Sequence, residues 1–159
     1  MLTVEDTAEL QVYHDHWLRM ETRRERPDGT PEVDMNDCLK SSLRMRPDRI
    51  IVGEVRGPEC ATLLTAMNTG HDGSFGSLHA NTAQETVTRM INPPMSVPPI
   101  MLSGLDLIII QARLHVNGKT ARKITEVAEV AGMEGDKPRL NAIWTVSYTH
   151  LTLPTIGCV

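Results

Sequence analysis

The sequence predicts an α/β protein built on a parallel sheet, and three observations carry that prediction. Short apolar strands alternate with amphipathic helices from Leu2 to Ile91. The segment Arg49–Val55, "RIIVGEV", is apolar almost without a break, as in a strand covered on both faces. Glu5, Glu54 and His79 stand at the ends of three of the predicted strands, the edge where such sheets build their chemistry.

The elements follow in order. Leu2–Glu5 is a short apolar strand closed by the acids Glu5 and Asp6. Trp17–Glu21 reads as a second strand, and Thr22–Pro31, polar with two prolines and a glycine, as a loop. Asp34 caps a helix running to about Met45, with Met35, Cys38, Leu39, Ser42 and Leu43 on one face, and Pro47-Asp48 stops it. After the strand Arg49–Val55, Pro58 suits the first turn of a helix that carries Cys60, Leu63, Leu64 and Met67 and ends at Gly70. Ser74–His79 is another strand, and Thr82–Ile91 a helix with Asn81 or Thr82 as its cap. "NPPMSVPP", 92–99, reads as a rigid linker. Asp106–Val116 and Lys119–Val130 are extended and joined by Asn117-Gly118, a pair that favours the type I′ hairpin turn. They read as a meander added to one edge of the sheet. The alternation before them implies right-handed crossovers.

Composition narrows the function classes. A chain of 159 residues is long enough for one domain with a core. Aromatic content of 3% leaves little to stack on bases, and a net charge of −4 argues against direct nucleic-acid binding. The apolar run at Leu105–Ile110 is interrupted by Asp106 and falls far short of the roughly 20 residues that span a bilayer. Cys38, Cys60 and Cys158 form no C-x-x-C pair, so they read as free thiols of a reducing compartment rather than a zinc site.

A carboxylate fixed behind a buried strand, as at Glu54, suits holding a hydrated Mg²⁺ or orienting an attacking water. The alternative is that Glu54 pairs with Arg56 or Arg46 and only ties a loop. An imidazole at His79 suits reading a terminal phosphate; the alternative is a histidine that caps its turn on a backbone carbonyl. Gly70, Gly73 and Gly76 let the backbone approach a ligand closely. His71 and His79 lack metal-ligand spacing and a third donor, which excludes zinc. Among the arginines crowded between 19 and 56, Arg19 stands out because it lies inside a strand. An arginine reaching a neighbouring subunit's nucleotide would stabilise charge in phosphoryl transfer. Which arginine does so is open at this level.

The motifs carry a resemblance. "TVEDTAELQ" (3–11) resembles the acidic box of the type II/IV secretion ATPases, and "RMRPDRIIVGEVRGPE" (44–59) their Walker B segment, with glutamate in place of aspartate. "AMNTGHDGSFGSLHANT" (66–82) resembles their histidine box. "RMETR" (19–23) and "ITEVAEVAGMEGD" (124–136) are similar to the tight-adherence pilus branch, the former also to the archaellum branch, and "INPPMSVPPIMLSGLDLIIIQ" (91–111) looks most like archaeal members. The resemblance implies a RecA-like P-loop NTPase fold using ATP and Mg²⁺. It implies a homo-hexameric ring in the cytoplasm, held peripherally at the inner face of the membrane through an inner-membrane platform protein. Such rings drive assembly of type IV pili, archaella or secretion filaments. By matching position, Glu5 would be catalytic, Glu54 the Walker B acid meeting Mg²⁺ through water, and His79 the γ-phosphate contact. Asp6, Glu9, Arg19 and Arg56 would lie on the nucleotide side, and His71 would support the box. The roles of Glu5 and Glu54 are exchangeable on this basis.

The sequence also departs from the family pattern. No G-x-x-x-x-G-K-[ST] occurs, and the chain opens at the acidic box. Residues 1–145 therefore read as the later part of a motor domain, with the Walker A half missing and Met1 internal to it. "VSYTHLTLPTIGCV", 146–159, leaves the pattern and reads as a non-native tail, the alternative being a true final strand. Two further functions compete: a catalytically silent ring or scaffold module, and a conjugative type IV secretion ATPase.

Overall fold

The computed structural model describes residues 1–116, 119–135 and 137–146. Strands β1 (Leu2–Glu5), β2 (Leu18–Glu21), β3 (Ile50–Val52) and β4 (Phe75–Gly76) form a parallel sheet in the order β2-β1-β3-β4. β1 and β3 are buried along their whole length; β3 is accordingly an unbroken apolar run, whereas β1 also buries Thr3 and Glu5. Leu2 pairs with Ile50 and Val4 with Val52, so the two strands end level with one another.

Both β3 and β4 are shorter than the sequence suggests. The ladder stops at Val52 and Gly76, but single hydrogen bonds continue the alignment. Gly53 N–H donates to the Val4 carbonyl (2.8 Å) and Val55 N–H to that of Ser77 (2.7 Å). The residues freed from the ladder are those that line the site.

Helix α1 (Met35–Arg44) starts on a reciprocal capping box: Asp34 accepts from Asp37 N–H (2.7 Å), and the Asp37 carboxylate accepts from Asp34 N–H (3.4 Å). Its Cys38, Leu39 and Ser42 are buried beside β1. Helix α2 (Glu59–Asn68) follows Pro58 and ends before Gly70, whose φ of +98° suits glycine at a helix end. Helix α3 (Ala83–Ile91) is capped by Thr82, which accepts from Glu85 N–H (3.0 Å).

The segment 92–99 is not a free spacer. Met95 and Val97 are buried in the core, and Pro99–Gly104 continues as a 3₁₀ helix with Leu102 buried. Beyond it, β5 (Leu107–Val116), β6 (Lys119–Glu134) and β7 (Lys137–Thr145) form an antiparallel sheet of their own. The expected extension of the first sheet is thereby corrected. Ile108, Ile110 and Ala128 join the common core beside α3, so the second sheet docks through side chains rather than through its backbone. β6 runs further than predicted, past irregularities at Val127/Ala128 and Val130/Met133. The turn Asn117-Gly118 and the tail 147–159 lie outside the described residues, as does Cys158; Val116 and Lys119 pair on either side of the turn.

Cys38 and Cys60 are free and buried. Burial pushes the Cys60 thiol up to about 12, so it stays protonated and inert at neutral pH. Among the described residues no helix is long and apolar enough to cross a membrane.

Candidate active site at the ends of the parallel strands

Glu5 ends β1 and is only 2% exposed. Its Oε1 accepts from Glu9 N–H (3.0 Å) and Leu10 N–H (2.8 Å), so the chain leaving the strand folds around the carboxylate. Oε2 is buried with no hydrogen-bond partner, and Arg19 Nε stands 3.5 Å away. Gly53 makes room for this side chain, because a Cβ there would meet Glu5 Cγ at 3.1 Å.

Arg19 is held by residues of its own chain. Its guanidinium lies 4.5 Å from the centre of the Trp17 ring and donates to the Leu10 carbonyl. Trp17 Nε1 in turn donates to Thr3 Oγ1 (3.0 Å). Arg19 and Glu5 thus grip the same loop from two sides.

Glu54 follows Gly53 at the end of β3, its side chain a quarter exposed. Its Oε2 accepts from Arg56, and its Oε1 lies 3.1 Å from His79 Nε2. The Arg56 guanidinium, against the opposing effect of burial, holds the Glu54 carboxyl below the usual carboxylate range. Glu54 is therefore ionised at neutral pH. The tie to Arg56 exists, then, but it is one half of a two-sided arrangement that also takes in His79 from beyond β4. The His79 ring is 86% exposed and bonds this carboxylate rather than a backbone carbonyl.

Glu5, Glu54 and His79 line a single cleft of about 370 Å³ together with Asp6, Glu9 and Arg56. Asp6 Oδ1 accepts from Thr22 Oγ1 (2.5 Å), and Glu9 contributes its backbone to Glu5. His71 lies elsewhere. It precedes β4, at the opposite end from His79, and its Nδ1 bonds the Pro47 carbonyl at 2.7 Å.

Two residues that the sequence reading passed over shape the site. Glu59 is 6% exposed, and its Oε1 alone accepts from Arg56 N–H (2.6 Å) and Gly57 N–H (2.7 Å), which fixes the turn that presents Arg56. An acid straight after Pro58, in the first turn of a helix, is the signal that could have revealed it. Glu126 of β6 accepts from Ala83 N–H (2.9 Å) at the start of α3. With Thr82 on Glu85 N–H and Glu85 on Asn81 N–H, protein carboxylates and a hydroxyl already occupy that helix end. A helix start with its N–H groups free would favour an anion beside His79; here those groups are already engaged. Nothing in the spacing pointed to Glu126, which arrives from 43 residues away.

The donor set suits a hydrated cation. A buried carboxylate oxygen without a partner is costly unless water or an ion satisfies it, and Glu5 Oε2 is such an atom. Among the described residues no three His, Cys, Asp or Glu side chains converge as a metal cage. Mg²⁺ requires none, since it keeps several waters and takes the rest of its ligands from carboxylates and phosphates.

Residues 1–139 match the family of type II/IV secretion system proteins. The chain belongs to that family. It is 38% identical over 130 residues to an uncharacterised protein of Methanocaldococcus jannaschii, covering 82% of this chain and 48% of that protein. It is 36% identical over 137 residues to the conjugal transfer protein TrbB of Rhizobium radiobacter, covering 83% of this chain and 39% of TrbB. Among solved structures, the VirB11 ATPase of the Brucella suis type IV secretion system, in complex with sulphate, superposes with a TM-score of 0.62 at 28% identity, over 80% of this chain and 39% of VirB11. This secretion-family chain thus spans less than half the length of these relatives, and its mixed α/β fold is part of the VirB11 fold.

Proposed function

We propose that the chain is the later part of a motor domain that hydrolyses ATP to drive a secretion or pilus-assembly machine. The observation that carries this reading is the convergence of Glu5, Glu54 and His79, from three neighbouring parallel strands, on one cleft. Bound Mg·ATP would supply the scissile phosphoanhydride and the cation that neutralises its charge. Glu5, rigid and buried, would orient a water through Oε2. Glu54 would hold the cation's water shell, and His79, exposed and linked to Glu54, would read the terminal phosphate. Asp6, Glu9, Arg19 and Arg56 would shape the rim, Arg19 from within the same subunit. His71 would stiffen the turn that leads into β4.

The family resemblance extends the proposal to a homo-hexameric ring working at the inner face of the membrane with a platform protein. Relatives named for conjugal transfer favour a type IV secretion machine over a pilus or archaellum as the assembly served. Residues 1–145 would form the motor part. The silent-scaffold reading predicts the same fold with no turnover.

The motif G-x-x-x-x-G-K-[ST] does not occur in the 159 residues. Isothermal calorimetry of this chain with Mg·ATP is accordingly expected to register no binding; micromolar affinity would reveal a phosphate site elsewhere. The reading of His79 is tested in a full-length protein carrying this segment behind a phosphate loop. There His79→Ala is expected to weaken ATP binding and slow turnover by about tenfold or more while ADP affinity stays near normal. Equal weakening of both nucleotides, with a lower melting temperature, would make His79 a structural residue instead.

A further inference from the structure

Beyond its third strand the second sheet runs on as a two-stranded ribbon. Among the described residues β7 meets β6 only from Glu126 onward, and one further bond joins Val146 N–H to the Thr125 carbonyl (2.9 Å). β5 and β6 stay paired past that point, from Gln111 with Ile124 to Val116 with Lys119. The base of the ribbon is anchored, since Glu126 holds the Ala83 N–H at the start of α3.

The ribbon carries charge of one sign. Arg113, Lys119, Arg122 and Lys123 fall within it, and no acid occurs between Asp106 and Glu126, in a chain whose net charge is −4. Register sorts these cations onto two faces, because directly paired residues project to the same side. Arg113 pairs with Arg122 and His115 with Thr120 on one face. Ala112 pairs with Lys123 and Leu114 with Ala121 on the other. All four residues of the first face are exposed, whereas Ala112, Leu114 and Ala121 are half-buried. Two guanidiniums directly opposite one another repel, and such a pair destabilises its ladder. Among the described residues neither arginine forms a salt bridge; the ion pairs lie at Arg19, Arg56, His79 and Arg89. Thr120 Oγ1 and His115 Nδ1 are 2.9 Å apart and satisfy each other, which leaves the two forks as the uncommitted donors of the face.

We propose that this face docks an acidic, extended segment of a partner protein, whose carboxylates engage Arg113 and Arg122 together. A guanidinium is a planar fork that takes a carboxylate through two parallel hydrogen bonds, and two forks side by side suit two acids of one segment. Negative charge brought to the pair replaces repulsion across the ladder by attraction from both strands. The layout favours a chain laid along the ribbon over a flat anionic surface. Both arginines stand back from the turn, so a membrane touching the end of the ribbon would meet Lys119 before either of them. Ile124, 45% exposed and two residues from Arg122 on the same face, offers a contact the size of one apolar side chain, as a peptide supplies. A single-stranded nucleic acid would be held partly by stacking, and residues 111–125 contain no Phe, Tyr or Trp. This surface is independent of the chemistry proposed for the cleft.

The test titrates the 159-residue chain into a fluorescent peptide of about ten residues that alternates glutamate with valine, and reads anisotropy. The same peptide with glutamine for glutamate is the control, expected to bind at least about tenfold more weakly. Replacing both arginines, Arg113→Gln with Arg122→Gln, should weaken the acidic peptide at least about tenfold. Lys119→Gln with Lys123→Gln removes equal charge and should weaken it less than about threefold. Arg122→Glu separates docking from folding. It gives Arg113 an acid across the ladder, so the melting temperature should hold or rise while binding falls. No binding of the acidic peptide, equal binding of the two peptides, or equal weakening by the two double variants overturns the proposal. So does a drop in melting temperature that accounts for the lost binding of Arg122→Glu. Phosphatidylglycerol vesicles, or a single strand of about 20 nucleotides, bound more tightly than the peptide through the same two arginines overturn it as well, by making headgroups or nucleic acid the occupant.

Discussion

Glu54→Gln is expected to lower ATP turnover at least about a hundredfold in a full-length protein that carries this segment behind a phosphate loop, with the fold retained. The substitution keeps the shape but removes the charge and turns one of the two acceptor oxygens into an N–H donor. Glu54 stands directly behind the buried β3, so it cannot drift to compensate, and Arg56 keeps the native carboxylate ionised. Because the side chain is partly exposed, its ion pair adds little to stability and the melting temperature should hardly move. The sign of the pH effect follows. A carboxyl lowered on folding contributes stability above its unfolded value of about 4.3, and that contribution is lost as pH falls through the folded value. At neutral pH the residue therefore stays charged, and the turnover profile should show no limb from Glu54 between about pH 6 and 8. Phosphate release and a thermal melt of the two proteins decide the matter; near-normal turnover in the variant removes Glu54 from the reaction.

The second large effect concerns stability. Glu59→Ala is expected to cost about 2–3 kcal/mol, read as a shift in the urea midpoint. It strands the N–H groups of Arg56 and Gly57, both now bonded to the single oxygen Oε1. Glu59→Gln should cost markedly less, since the amide oxygen can take the place of Oε1 and accept both bonds. Equal losses for the two variants would mean that packing, not these bonds, is what Glu59 supplies. The same substitution loosens the turn that aims Arg56 at Glu54, so any loss in turnover should exceed what the population of folded protein explains.

Much of this was legible from the sequence because it depends on neighbours in the chain. Asp34 and Thr82 announce their helices through local caps, and Ile50–Val52 announces a buried strand through unbroken β-branched residues. Glu5, Glu54 and His79 were legible as a group because strands of one parallel sheet end on one side. What stayed hidden came from afar or from competition. The separate second sheet depends on how Ile108 and Ala128 pack on α3, which no local pattern encodes. Met95 and Val97 look like linker residues until the core that buries them exists. Glu126 at the start of α3 and the stacking of Arg19 on Trp17 are likewise products of tertiary placement.

The pairing of charges around the cleft sets how a ligand would enter it. Both oxygens of Glu54 already have partners, Arg56 on one side and His79 on the other, and the cation nearest to Glu5 is Arg19. Loading is then an exchange of partners rather than an addition of new ones: a newcomer that engages Glu54 releases a guanidinium or an imidazole, which is free to turn towards it. Such a swap keeps the Glu54 carboxylate partnered before and after. Added salt, which weakens capture by bare charged surfaces, should therefore act on this cleft only mildly.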